Sequence, residues 1–287
     1  MGERDSAGIA VVTGSSSGIG HATVLRLARD GHHVVATMRQ PDGSDLTELA
    51  ASESLSIETA ALDVVSDDSV AQLFSDVFER HGRVDVLVAN AGIGGSGGPL
   101  EMAPLDDLRD AMETNFFGAV RCVKAVLPSM RERGSGSIVA MSSQAGRIAP
   151  ATMPAYVASK WVLEGAMESL AASVAPFGIR VAIIEPGVIL TPIFGKGDLG
   201  PPSPYQPATD VFVQTLMHDI GRGSDPSVVA DCVSHAITTD NPQLRYPTGQ
   251  GAERNIRVRA SMTDQEYVEL NRLPVAEQVA RLLDGES

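Results

Sequence analysis

The chain has 287 residues, 43% hydrophobic and 20% charged, which is ample material for a packed core and unlike a disordered segment. A formal charge of −14, from 36 acidic against 22 basic residues, argues against a nucleic-acid or anionic-membrane surface, either of which calls for a basic face. The two cysteines, Cys122 and Cys232, lack C-x-x-C spacing, and neither a signal-peptide-like start nor a membrane-length apolar run occurs, so the expectation is a soluble, cytoplasmic protein with reduced thiols.

In chain order, short apolar runs alternate with amphipathic stretches. IAVVTG (9–14) precedes HATVLRLARDG, a helical pattern that ends in a glycine suited to a C-cap. HVVATM (33–38) and SIETAALDV (56–64) follow, and then DDSVAQLFSDVFERHG, acidic at its start and closed by glycine. VDVLVANAG (84–92), GSIVAMSS (136–143) and IRVAIIEPG (179–187) complete six predicted strands. Nearly continuous apolar strands imply a sheet buried on both faces, and the βαβα alternation calls for a doubly wound parallel sheet in a single α/β domain of three layers, the Rossmann arrangement.

Two regions depart from this alternation. TPIFGKGDLGPPSPYQPATD (191–210), within a predicted insertion over about 188–220, is rich in Pro and Gly. It reads either as a surface loop or as a lid, the latter because it follows the carboxyl end of a strand, where open α/β sheets bind ligands. The end of the chain, about 261–287, reads as a helical extension that Ser261 can cap and Pro274 breaks.

VVTGSSSGIG places Gly14, Gly18 and Gly20 between the first strand and the first helix. Glycines let the backbone turn sharply and approach a ligand, and a helix amino end presents free N–H groups that suit a diphosphate. Farther on, Tyr156 and Lys160 stand four residues apart on one helical face, with Ser143 thirteen residues before the tyrosine. A phenol ordinarily titrates near 10, too high for proton exchange at neutrality. One ammonium at about 4 Å and an effective dielectric of about 20 supplies roughly 4 kcal/mol, enough in principle to lower it by about three units.

These elements in this order, T-G-x-x-x-G-x-G from Thr13 to Gly20, then Asn90-Ala91-Gly92, Asn115 in ETNFFG, Ser143, Tyr156, Lys160 and EPGVILT (185–191), resemble the short-chain dehydrogenase/reductase family. Ala89 stands where the family usually has a second asparagine. The resemblance implies that Asn115, Ser143, Tyr156 and Lys160 are catalytic, with Tyr156 exchanging the proton, Ser143 bonding the substrate oxygen and Lys160 holding the ribose. Asn115 is expected to help anchor Lys160 and a relay water. The same resemblance places a nicotinamide dinucleotide on Gly14, Ser16, Ser17, Gly18, Ile19 and Gly20, on Arg39, Asp63 and Val64, and on Asn90, Ala91 and Gly92. It adds Tyr156, Lys160, Pro186, Gly187, Val188 and Thr191, and implies a homodimer or homotetramer.

The second strand ends in Met38-Arg39 where an acidic residue would select NAD, so NADP(H) is favoured and NAD(H) is possible. Arg39 either binds the 2′-phosphate or points into solvent. Asp63 either contacts adenine or is an ordinary turn residue. His32 and His33 are adjacent and face opposite ways on a strand, and no metal set is expected from the histidines and carboxylates. GRVDVLVANAGIGGSGGPLE, SKWVLEGAMESLA and PQLRYPTG look similar to the hydroxysteroid and retinol dehydrogenase branch. That suggests a sizeable apolar alcohol or ketone, with Phe194, Tyr205, Phe212 and Met217 as pocket or packing residues. The rival readings are a catalytically silent NADP-binding regulator and a sugar-nucleotide epimerase. Intact Ser143, Tyr156 and Lys160 speak against the first, and the glycine spacing against the second.

Overall fold

The computed structural model describes residues 7–192 and 203–284. Seven parallel strands form one sheet: β1 (Ile9–Thr13), β2 (His33–Met38), β3 (Ile57–Ala61), β4 (Val86–Ala89), β5 (Gly136–Met141), β6 (Ile179–Pro186) and β7 (Arg245–Thr248), in the order β3-β2-β1-β4-β5-β6-β7. Right-handed crossovers that cover both faces explain why the central strands are apolar on both sides. In β1, Val11 packs into one core layer while Ala10 and Val12 enter the other.

The first layer lies under α3 (Asp67–His81), α5 (Gly118–Arg133) and α6 (Pro154–Val174); the second lies under α1 (Gly18–Arg29), α2 (Leu46–Glu53) and α8 (Pro226–Thr238). Helix α3 starts at Ser66, whose side chain accepts from the Ser69 N–H. It carries Asp67 and Asp68 in its first turn and ends at Gly82 in the left-handed region. That is the pattern its sequence announces. Helix α4 (Leu105–Met112) runs into a π-helical turn over Glu113–Phe117 before α5 begins.

All six predicted strands form, but not all are equally buried. β3 lies at the sheet edge, partly buried over its first four residues and exposed at Ala61. The seventh strand, RYPT, has no apolar run to announce it. It pairs with β6 alone, and at an outer edge Pro247 is tolerated because its missing donor would face no partner.

The predicted insertion is regular over much of its length, since α7 spans Gln206–Ile220, with Pro207 in its first turn. Its remainder at 193–202, Phe194 included, lies outside the described residues. Helix α9 (Ala252–Ala260) precedes the extension, which consists of α10 (Asp264–Leu270) and α11 (Val275–Leu283). Ser261 does not cap it. Ser261 ends α9, and Thr263 starts α10 with a capping box closed by Glu266, a better cap because two otherwise free donors are satisfied reciprocally. Pro274 breaks the extension as expected, standing at the amino end of α11. No helix among the described residues is long and apolar enough to cross a membrane.

Candidate active site

The strand order reverses between β1 and β4, and open α/β sheets have their ligand crevice at such a point, beyond the carboxyl ends of the strands. The glycine loop follows β1 and Asn90-Ala91-Gly92 follows β4, so the fold brings the two motifs together there. Thr13, buried at the end of β1, is the clasp. Its Oγ1 accepts from the backbone N–H groups of both Asn90 and Ala91 at 2.9 Å. The Asn90 Nδ2 returns the contact by donating to the carbonyls of Thr13 (2.8 Å) and Gly14 (3.1 Å).

Gly14 has φ +68°, and a Cβ there would lie 2.7 Å from the Ala91 Cα. Only glycine fits this position. Ser17 is the N-cap of α1 and its side chain makes no capping bond, which leaves the first-turn N–H groups to another acceptor. Ser16 and Ser17 are exposed, while Ile19 packs partly into the second core layer. A Cβ on Gly18 would come within 3.1 Å of the Thr191 Cγ2, so the element after β6 reaches this loop. That element is held by Gly187 and Val188, whose N–H groups donate to the carbonyls of Thr248 and Gln250 at 2.9 Å. A glycine cradle, an uncapped helix start and an exposed cation at the end of β2 fit a dinucleotide diphosphate and its flank. The cation is Arg39, which makes no hydrogen bond or ion pair with the described residues.

Asp63 is used locally. Its Oδ1 accepts from the Val65 N–H (3.2 Å) in an Asx turn, the ordinary turn role weighed above. Val64 is buried against Gly118, where a Cβ would sit 2.7 Å from the Val64 Cγ2.

Four candidate catalytic residues come from three elements. Tyr156 and Lys160 lie on α6, Ser143 follows β5, and Asn115 sits in the π-helical turn, a kind of distortion frequent at functional sites. Ser143 stands beside the Tyr156 phenol and favours its charged form. The Ser143 Oγ also accepts from the Ala145 N–H (3.1 Å) and donates weakly to the Pro186 carbonyl (3.5 Å). Lys160 is 4% exposed; its ammonium donates to the Met141 carbonyl (2.7 Å) and lies 5.6 Å from the centre of the Tyr156 ring.

The electrostatics differ from the simple pair expected. Burial pushes the Tyr156 phenol up, and Ser143 only partly opposes it. Burial likewise pushes Lys160 down from 10.5 to about 8, against the pull of Glu164. The ammonium sits over the ring and engages a carbonyl, so its pull on the phenol is weaker than that of point charges in contact, and burial prevails. At neutral pH the phenol therefore holds its proton and the ammonium its charge.

Asn115 does not touch Lys160. Its Oδ1 accepts from the Ile93 N–H (2.8 Å), and its Nδ2 donates to the Ile93 carbonyl (3.0 Å) and to Ser159 Oγ (2.9 Å). Ser159 in turn donates to the Tyr156 carbonyl (2.8 Å), so Asn115 ties the β4 loop to the turn of α6 that bears the tyrosine.

Behind Lys160 lies a charged cluster that the sequence reading missed. Glu164 and Glu185 are buried, and Arg245 bridges them, its Nε 2.9 Å from Glu164 and 3.5 Å from Glu185. Arg147 pairs with Glu185 at 3.0 Å. Burial pushes the Glu185 carboxyl up. Only Glu164 had a local signal, because it continues the four-residue spacing of Tyr156 and Lys160 along α6. The others come from a loop, β6 and β7.

At the outer end of the cleft, Tyr205 is 41% exposed and donates to Glu101, linking the start of α7 to the loop after β4. Met217 is exposed and Phe212 half-buried. The C-terminal helices close on the segment after Ser143: Asn255 donates to Gln144 (2.8 Å) and Tyr267 to the Ala149 carbonyl (2.6 Å).

The cysteines are free. Cys122 is buried, which pushes its thiol up to about 12, and Cys232 is half-buried. The histidines and carboxylates hold a surprise for the sequence reading: His33, Glu58 and His81 offer ligand atoms that all lie within 4.8 Å of one another. His33 meets its partners from β3 and α3, and adjacency to His32 says nothing about that.

Comparison with known proteins accords with this architecture. Human retinol dehydrogenase 8 is 39% identical over 253 residues, spanning 83% of this chain and 80% of that protein. The crystal structure of a short-chain dehydrogenase from Streptomyces avermitilis superposes with a TM-score of 0.80 at 36% identity, covering 92% of this chain and 98% of that one. A metagenomic short-chain oxidoreductase solved in complex with NADP gives a TM-score of 0.68 at 29% identity, covering 84% and 96% respectively. The family model described as short chain dehydrogenase matches residues 8–199, the stretch that carries the clasped glycine loop, Ser143, Tyr156 and Lys160, and this chain belongs to that family of oxidoreductases.

Proposed function

We propose that the chain is an NAD(P)(H)-dependent oxidoreductase that interconverts a secondary alcohol and a ketone, with Tyr156 as acid and base. The observation that carries this reading is one cluster, in which the half-buried Tyr156 stands beside buried Ser143 and the buried Lys160 ammonium lies 5.6 Å from its ring. When bound, the dinucleotide supplies or accepts the hydride.

In the reductive direction the protonated phenol gives its proton to the carbonyl oxygen, while the Ser143 hydroxyl donates a hydrogen bond where negative charge builds. The ammonium of Lys160 stabilises the phenolate that results and offers donors to ribose hydroxyls. Asn115 acts through Ser159, fixing the turn that aims the phenol. The glycine loop holds the diphosphate, and Arg39 receives a 2′-phosphate, which favours NADP(H). Thr191, whose methyl group faces Gly18, would meet the nicotinamide end.

A sizeable apolar substrate agrees with the resemblance to a retinol dehydrogenase and with exposed Leu100, Met102, Leu190 and Met217 around the segments that follow β4 and β6. We place the protein in the cytoplasm as a homodimer or homotetramer of single-domain subunits, a state that light scattering reads directly. The test of the chemistry is Tyr156→Phe. It should abolish turnover of a ketone and alcohol panel while NADPH still binds. Near-normal turnover would remove the phenol from the mechanism.

A further inference from the structure

At the opposite end of the sheet from the active site, His33 opens β2, Glu58 is the second residue of β3 and His81 closes α3. We propose that these three side chains form a site for one divalent cation of the zinc class. Two imidazoles and a carboxylate are a donor set for such ions, and a tetrahedral centre needs only a water besides.

The geometry supports it atom by atom. The His81 Nε2 is 3.0 Å from Glu58 Oε1, and the His33 Nε2 is 3.9 Å from Glu58 Oε2. The His33 Nε2 is buried and has no hydrogen-bond partner. The His33 Nδ1 lies 2.6 Å from Ser56 Oγ, which fixes the ring and directs Nε2 inward. Arg80 Nη1 donates to Glu58 Oε2 at 2.6 Å and orients the carboxylate, leaving Oε1 toward His81. Ligating residues are commonly held this way by outer partners.

An imidazole nitrogen and a carboxylate oxygen that face each other at 3.9 Å without a hydrogen bond are placed so that a cation between them would attract both. The two rings already lie 4.6 Å apart at 43°, so closing on an ion requires only side-chain movement. Bridging β2, β3 and α3, the ion would brace the sheet edge without entering the reaction.

The experiment is calorimetric titration of the chelator-treated full-length protein with Zn²⁺, with Mg²⁺ as the control ion. One Zn²⁺ per chain and no Mg²⁺ binding are expected, with a rise in Tm on adding Zn²⁺. His81→Asn and Glu58→Gln should lose that site while far-UV circular dichroism is unchanged. Ser56→Ala, a surface change that removes only the outer partner of His33, should weaken binding by about tenfold. Absence of binding to the wild type, or binding unaltered in all three variants, would overturn the proposal.

Discussion

Replacing Lys160 with methionine should make the folded chain more stable while abolishing its activity. Methionine keeps most of the volume of the side chain, so packing changes little. Burial holds the Lys160 ammonium at about 8 instead of 10.5, and at about 1.36 kcal/mol per unit the charged form costs the fold about 3 kcal/mol. The variant also loses the hydrogen bond from Nζ to the Met141 carbonyl, worth about 1 kcal/mol. The net gain near pH 7 is therefore about 2 kcal/mol.

Its sign with pH follows from proton counting. The unfolded lysine keeps its proton to 10.5 and the folded one releases it from about 8, so the unfolded state binds more protons between those values. Wild-type stability rises across that window. The advantage of Lys160→Met is full below about 8 and gone above 10.5. Urea unfolding followed by circular dichroism at neutral pH and near the top of the window measures both ends. A variant less stable than wild type at neutrality, or a margin that does not shrink as pH rises, would refute the reasoning. The physical content is that the cation proposed to serve the reaction is kept in a place unfavourable to it, a common tension between stability and activity.

Arg39→Ala should lower kcat/KM for NADPH far more than for NADH, since only the phosphorylated ribose meets the guanidinium; an unchanged ratio would leave Arg39 in solvent. Thr13→Val removes the one acceptor shared by the Asn90 and Ala91 N–H groups, and each buried donor left bare costs about 1–3 kcal/mol, readable as a lower urea midpoint. Arg245→Met leaves buried Glu164 without its ion-pair partner and Glu185 with Arg147 alone, for a loss of about 3–5 kcal/mol that thermal unfolding would register.

Much of this protein is decided locally, and the sequence by itself determined that part. Doubly covered strands must be apolar along their length, so the predicted strands stand out from the chain, and a turn that packs this closely on its neighbour must use glycine where φ is positive, as at Gly14. Tyr156, Lys160 and Glu164 share a face because a helix repeats at that spacing.

What the tertiary structure alone decided lies between elements distant in the chain. β7 carries no apolar run because an edge strand needs none, and α7 hid in a segment rich in Pro and Gly. Arg147, Glu185 and Arg245 meet only after β6 has β5 and β7 beside it, and His33, Glu58 and His81 meet only when β3 pairs with β2 under α3. The protonation of the active site belongs to the same class. Spacing puts an ammonium near a phenol, but the depth at which both are buried sets their proton affinities, because loss of water disfavours each charged form before the neighbours act.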